Sequence, residues 1–252
     1  MPTSTILAAS VRLEDLTVAL QPVLDLRTGS VHGFEALLRG PAGSDVNPPA
    51  LFRRARRERW LGELEYRARS LAFEAAERFL QGEEVLFLNA DIRFPLPPSH
   101  YPNLVLEVNE AQDVSLAQVE RLRKEGLRLY LDDYGISHGN LARILDIGPY
   151  GIKVDRSIIR GIAEDNRRFA IARALATLAA DLGMELVAEG IETGEDLVAA
   201  RRAGFGFGQG YYLGRPQQHP DRDEIARVGQ LLSNMVIERV TSARFRLVAS
   251  TL

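Results

Sequence analysis

The chain has 252 residues, 46% of them hydrophobic, and a formal net charge of −3 at pH 7. That is enough apolar material for one large domain or two small ones, and the charge gives no global pull toward nucleic acid or anionic lipid. There is no cysteine, so disulfides, thiolate zinc sites and cysteine nucleophiles are excluded.

The opening "MPTSTILAAS" has no basic segment before its short apolar run, and does not read as a signal peptide. "VALQPVLDL" reads as a strand closed by the turn "RTGS", and "VHGFEALLR" as a second strand. A helical region follows from about Ala50 to Phe79. "EEVLFLNAD" and "NLVLEVNE" read as strands around the irregular, Pro-rich "RFPLPPSHYP". "SLAQVERLRKEG" is a helix with a Ser cap and a Gly stop. Then come the strand "LRLYLDDYG", the short helix "GNLARILDIG" and a strand that begins "GIKVD". The helix "DNRRFAIARALATLAADLG", the strand "MELVAEGI", the Thr-capped helix "TGEDLVAARRAG" and the strand "FGFGQGYYLG" complete the rhythm before a terminal helix at 221–240.

No stretch supplies the ~20 apolar residues of a membrane helix. "FAIARALATLAADLG" comes nearest and is broken by Arg173 and Asp181. In "RRARRERW" and beyond, Glu58, Glu63 and Glu65 interleave with the basic residues, which predicts a solvated, salt-bridged helix face and argues against duplex binding. "GFGFGQG" does not open a helix after a strand, so it predicts close backbone approach within a barrel strand, not a dinucleotide loop.

Strands alternating with helices predict a mostly parallel sheet, and the number of units predicts an α/β fold of the TIM-like (β/α)8 type. The short Thr-Gly link between the first two strands favours an antiparallel pair, so one strand is expected to run against the others.

In such a barrel the strand C-termini share one mouth. Polar residues fall there repeatedly: Asn89; Glu107 and Glu110; Asp132 and Asp133; Lys153 and Asp155; Glu189 and Glu192; Gln209; and Glu35 lies inside the second strand. One carboxylate at a strand end is commonly a helix cap or a solvated loop residue. Several together repel: two like charges ~4 Å apart cost about 4 kcal/mol at an effective dielectric near 20. Divalent cations remove that cost, and carboxylates with an amide carbonyl are hard oxygen ligands suited to magnesium or manganese. Adjacent aspartates let one carboxylate bridge two ions, the arrangement used to cleave phosphodiesters. Lys153, in so acidic a site, is expected to stay protonated and to hold a water or phosphate oxygen.

The segments "QPVLDLRTGSVHGFEALLR", "FLNAD", "LEVNE", "LDDYG", "IKVDRSII", "LVAEGIET" and "GQGYYLGRP" together resemble, in order, the EAL domains, phosphodiesterases that linearise cyclic di-GMP. Glu35-Ala36-Leu37 matches the signature tripeptide. The likeness implies a single barrel domain over 1–252 with its core at about 20–216, a cytoplasmic location and two magnesium or manganese ions, with calcium inhibiting. It implies Glu35, Asn89, Glu107 and Asp132 as ligands of one metal, and Asp132, Asp133 and Glu189 as ligands of the other. Lys153 would hold the attacking water, and Glu192 would support the site. Arg39 would take a phosphate, with Gln21, Asp155 and Gln209 also meeting substrate. Glu110 would anchor the loop after the double aspartate.

That loop departs from the family pattern. Fully active members carry a stretch like "FGTGYSSL", where this chain has "YGISHGNL" at 134–141. Ile136 stands for a small hydroxyl residue and Ser137 for a glycine, which removes a hydrogen-bonding group and a permissive backbone position. His138 replaces an aromatic residue; a lone loop histidine is more often solvated than a ligand. The implied reaction is two-metal hydrolysis to the linear dinucleotide pGpG; the altered loop 134–140 leaves a weakly active or inactive cyclic di-GMP receptor or regulatory interaction domain as the alternative. The helix after the loop, with Leu141, Ile144 and Leu145, offers a homodimer seam or packs on the barrel.

Overall fold

The computed structural model describes residues 12–41, 43–44, 46–97, 101–110, 112–135 and 141–234. The first eleven residues, positions 136–140 of the altered loop with Ile136, Ser137 and His138, and the stretch beyond 234 where the sequence predicts the terminal helix to continue lie outside the described residues.

Eight strands follow one another around a closed barrel in chain order. They are β1 (Thr17–Asp25), β2 (Val31–Arg39), β3 (Val85–Asn89), β4 (Leu104–Asn109), β5 (Arg128–Tyr134), β6 (Gly151–Val154), β7 (Glu185–Ala188) and β8 (Phe207–Gly208). β1 pairs antiparallel with β8, while the β2–β3, β3–β4, β4–β5, β6–β7 and β7–β8 pairs are parallel. The expected α/β barrel with one reversed strand is therefore present. The reversal is set by the turn after β1, where the Asp25 carboxylate accepts from Arg27 and Thr28 N–H and the Gly29 backbone takes φ +77°. The closing strand is shorter than the sequence predicts, ending at Gly208.

The chain divides into two compact units. The first holds the chain through Gln21, Gly33–Tyr150 and Pro216–Pro220. It contains β2 to β5 with helices α1 (Pro48–Glu58), α2 (Leu61–Phe79), α3 (Leu116–Lys124) and α4 (Leu141–Ile147). The one long helical region expected from the sequence is two helices, broken where Arg59 turns left-handed at φ +67°. Leu16, Leu38, Leu51, Ala55, Leu61 and Leu64 form its outer core, with Trp60 and Phe94 against them. Ser115 and Gln118 cap α3 reciprocally, as the Ser-x-x-Gln spacing requires.

The second unit holds Pro22–His32, Gly151–Arg215 and the chain from Asp221. It contains β6 to β8 with α5 (Arg156–Ile159), α6 (Asn166–Asp181) and α7 (Gly194–Ala203). α6 buries Ala172, Ala176 and Ala179, and α7 buries Ala199, Ala200 and Ala203. These small side chains let helices approach closely. The terminal helix is present over 222–234. A Cβ on its Gly229 would come within 2.1 Å of the Gly29 carbonyl oxygen, so two glycines permit its contact with the turn after β1. No helix among the described residues is long and apolar enough to cross a membrane.

Candidate metal centre

Register alone gathers the polar residues of the first unit on one face. Glu35 pairs with Phe87, two residues before Asn89; Asn89 pairs with Glu107; and Asn109, two residues beyond Glu107, pairs with Asp132. Paired residues in parallel strands, and residues two apart on one strand, point the same way. Glu35, Asn89, Glu107, Asn109 and Asp132 therefore share a face near the C-terminal ends of β2 to β5. Glu107 is 1% exposed, Glu35 5% and Asp132 7%. Burial of carboxylates at this density is costly without cations or hydrogen bonds. Asn89 Nδ2 donates to Glu35 Oε1 at 2.8 Å, which turns the amide oxygen of Asn89 away from that contact.

On a regular strand Asp132 and Asp133 would face opposite sides. Asp133 instead has a left-handed backbone, φ +56°. Such a residue costs about 1–3 kcal/mol and clusters at functional sites, with Asp among the more tolerant types. Its Oδ2 accepts from Asn109 Nδ2 at 2.8 Å, so both aspartates lie at the same end of the strand pair. Glu110 follows β4, and its Oε2 accepts from the Gly135 N–H at 3.3 Å. The Glu110 side chain thus touches the start of the altered loop. Gln21 is buried in β1. Arg39, half-buried at the end of β2, donates through one guanidinium nitrogen to the Leu38 carbonyl.

In the second unit, Lys153 pairs with Val187, and Val187 with Phe207; Glu189 and Gln209 each stand two residues beyond those partners, just past the ends of β7 and β8. Lys153 is 1% exposed, and its Nζ lies 2.7 Å from Glu189 Oε1. A lysine so deeply buried is held by that partner. Gln209 is buried, and its backbone N–H donates to Ala188. Asp155 caps α5 through the Ser157 N–H at 2.7 Å, and Glu192 lies 3.4 Å from Arg160. Both of these have the ordinary partners of carboxylates at strand ends. A Cβ on Gly210 would lie 2.2 Å from the Ile191 carbonyl oxygen, the close approach predicted for "GFGFGQG".

Three features were not foreseen from sequence. Asn109 has a direct hold on Asp133. Asp196 accepts from Gly161 and Ala163 N–H, pinning the turn after α5. Glu65, expected on a solvated face, is buried and paired with Arg69 at 2.9 Å. Glu58, on the surface with Arg54 and Arg57, and the exposed Glu63 lie as expected. Arg69 donates to the carbonyls of Asp91, Phe94 and Pro95 at 2.7–2.8 Å, fixing the turn that follows Asn89. The available signal was the apolar face of α2 itself: Leu61, Leu64, Ala72 and Phe73 place positions 65 and 69 inside it.

The EAL domain profile matches residues 5–216. The chain belongs to the EAL domain family. It is 29% identical over 234 residues to the cyclic di-GMP phosphodiesterase NbdA of Pseudomonas aeruginosa, covering 83% of this chain and 30% of that protein. It is also 29% identical over 234 residues to the probable cyclic di-GMP phosphodiesterase PdeN of Escherichia coli, covering 82% and 44%. The chain thus spans less than half the length of either relative. The solved Klebsiella pneumoniae BlrP1 calcium/cy-diGMP complex matches with a TM-score of 0.72 at 25% identity, over 82% of this chain and 57% of that one. The PaMucR phosphodiesterase c-di-GMP complex matches at 0.70 and 26%, over 81% and 92%. The EAL tripeptide itself, Glu35 to Leu37, sits in β2, where the register aligns its glutamate with the inward face.

Proposed function

We propose that this EAL domain is a single barrel enzyme that hydrolyses cyclic di-GMP to the linear dinucleotide pGpG with two magnesium or manganese ions. The observation that carries the reading is the register-matched face of Glu35, Asn89, Glu107 and Asp132, hard oxygen donors of the kind those cations take. These four would hold one ion, through the amide oxygen of Asn89. Asp132, Asp133 and Glu189 would hold the other. When bound, the ions would polarise the phosphodiester and make a water nucleophilic near neutral pH.

The chain's own residues orient the reaction. Lys153, beside Glu189, holds the attacking water or a phosphate oxygen. The water oxygen bonds to phosphorus, one ester P–O bond breaks, and the departing oxygen takes a proton. Arg39 receives a phosphate with its planar fork. Gln21, Gln209 and the free side of the Asp155 carboxylate contact the nucleotide, while Glu192 supports the β7 end. Glu110 anchors the loop through Gly135. Calcium, larger and more loosely coordinated, would fill the site and inhibit. The protein would work in the cytoplasm and pair through α4, where Leu141 and Leu145 are exposed while Ile144 and Ile147 pack inward.

Glu35→Ala tests the assignment: it should abolish turnover of cyclic di-GMP in manganese, and persistent turnover would place the chemistry elsewhere. A receptor with little turnover is the second reading, favoured by the "YGISHGNL" sequence of the loop. It predicts tight nucleotide binding in calcium with no product in manganese.

A further inference from the structure

Asn109 stands two residues beyond Glu107 on β4, so both side chains point to the same face. Its place in register is opposite Asp132. Its carbonyl accepts from the Gln112 N–H at 2.9 Å, which fixes its own backbone at the turn after β4. Its side-chain amide donates to Asp133 Oδ2 at 2.8 Å. Asp133 is the residue whose left-handed backbone breaks the alternation of β5.

These contacts divide the placement of the Asp133 carboxylate into two parts. The backbone decides where Cβ points, but the carboxylate still rotates about χ1 and χ2. A charge-assisted hydrogen bond from the neighbouring strand removes that freedom. An amide is well suited to this. It donates to the carboxylate without the positive charge that would repel a cation, and without the negative charge that would repel Asp133. We infer that Asn109 is a positioning residue: by holding Oδ2 of Asp133 it sets the carboxylate that would bind the second metal ion. This inference rests on the two-metal reading above. The side chain is exposed, so the bond adds little to folding and acts by fixing a ligand before the ion arrives.

The test is a manganese titration followed by the free-ion electron paramagnetic resonance signal, on the whole chain, for wild type, Asn109→Ala, Asn109→Leu and Asp133→Ala. Wild type should bind two ions. Both Asn109 variants should keep one ion at wild-type affinity and bind the other on the order of tenfold more weakly, the scale of a lost hydrogen bond to a charged group. Asp133→Ala should weaken that same ion. Their urea midpoints should match wild type. With saturating manganese, kcat should recover in the Asn109 variants while KM for cyclic di-GMP stays put. Two ions bound at wild-type affinity in both Asn109 variants would overturn the inference and leave the two-metal reading standing. Equal weakening of both ions would also overturn it, since a general distortion would then be the cause. A wild type that binds fewer than two ions would refute the two-metal reading itself, and the inference with it.

Discussion

Replacing Arg69 by methionine removes the most heavily bonded buried side chain on α2. Arg69 is 1% exposed and makes four hydrogen bonds of 2.7–2.9 Å, three to backbone carbonyls of the turn after β3 and one to Glu65. Methionine keeps much of the volume but leaves a buried carboxylate and three carbonyls without this donor. Breaking a buried ion pair from one side costs about 3–5 kcal/mol. With a urea slope of about 2–3 kcal/mol/M, the midpoint should fall by about 1–2 M. Trp60, the only tryptophan, packs in the core that α2 helps to build and reports the transition by fluorescence. The loss has a defined pH dependence. Burial pushes the Glu65 carboxyl above its usual range, against the opposing pull of Arg69. A raised carboxyl favours the fold below its unfolded pKa, and that contribution fades as pH rises through the folded value. Without Arg69 the carboxyl rises further, so the deficit should be largest near neutral pH and shrink on acidification. Glu65→Leu combined with Arg69→Met should recover part of the loss. A variant within about 1 kcal/mol of wild type at pH 7, or a deficit that grows on acidification, would refute the buried-pair account.

Ser115→Ala removes one half of the capping box on α3 and should cost about 1 kcal/mol by urea denaturation. Gly210→Ala drives a methyl group into the Ile191 carbonyl and should cost about 1–3 kcal/mol by the same measurement. Lys153→Met removes the cation beside Glu189 and should lower kcat at least a hundredfold, the order expected for a lost transition-state donor, with steady-state kinetics in saturating manganese as the check. Leu145, 82% exposed on α4, should tolerate Leu145→Asp within about 0.5 kcal/mol, while sedimentation shows any dimer shifted toward monomer.

The barrel was legible because its two periods are: alternating strands and 3.6-residue helices each leave their own pattern, and the Thr-Gly turn marked one strand as reversed. The carboxylates at the strand ends were legible for the same reason, since a parallel register converts positions such as Glu35, Asn89, Glu107 and Asp132 into one face. What escaped depends on conformations that the residue type does not announce. Arg59 adopts a left-handed turn that glycine would have signalled, so two helices looked like one. Asp133 hides its turned backbone behind an ordinary strand sequence. Glu65 and Arg69 have the spacing of a surface ion pair, and only the apolar residues around them reveal that the pair is inside. Asn109 carries no charge and sits among acids, so its hold on Asp133 emerged only from the paired strands.

The most direct test of the account is incubation of the purified protein with cyclic di-GMP and manganese, with the nucleotides resolved by chromatography. The account predicts that pGpG accumulates in proportion to enzyme and stops when calcium replaces manganese. Cyclic di-GMP left intact at high enzyme concentration would contradict it.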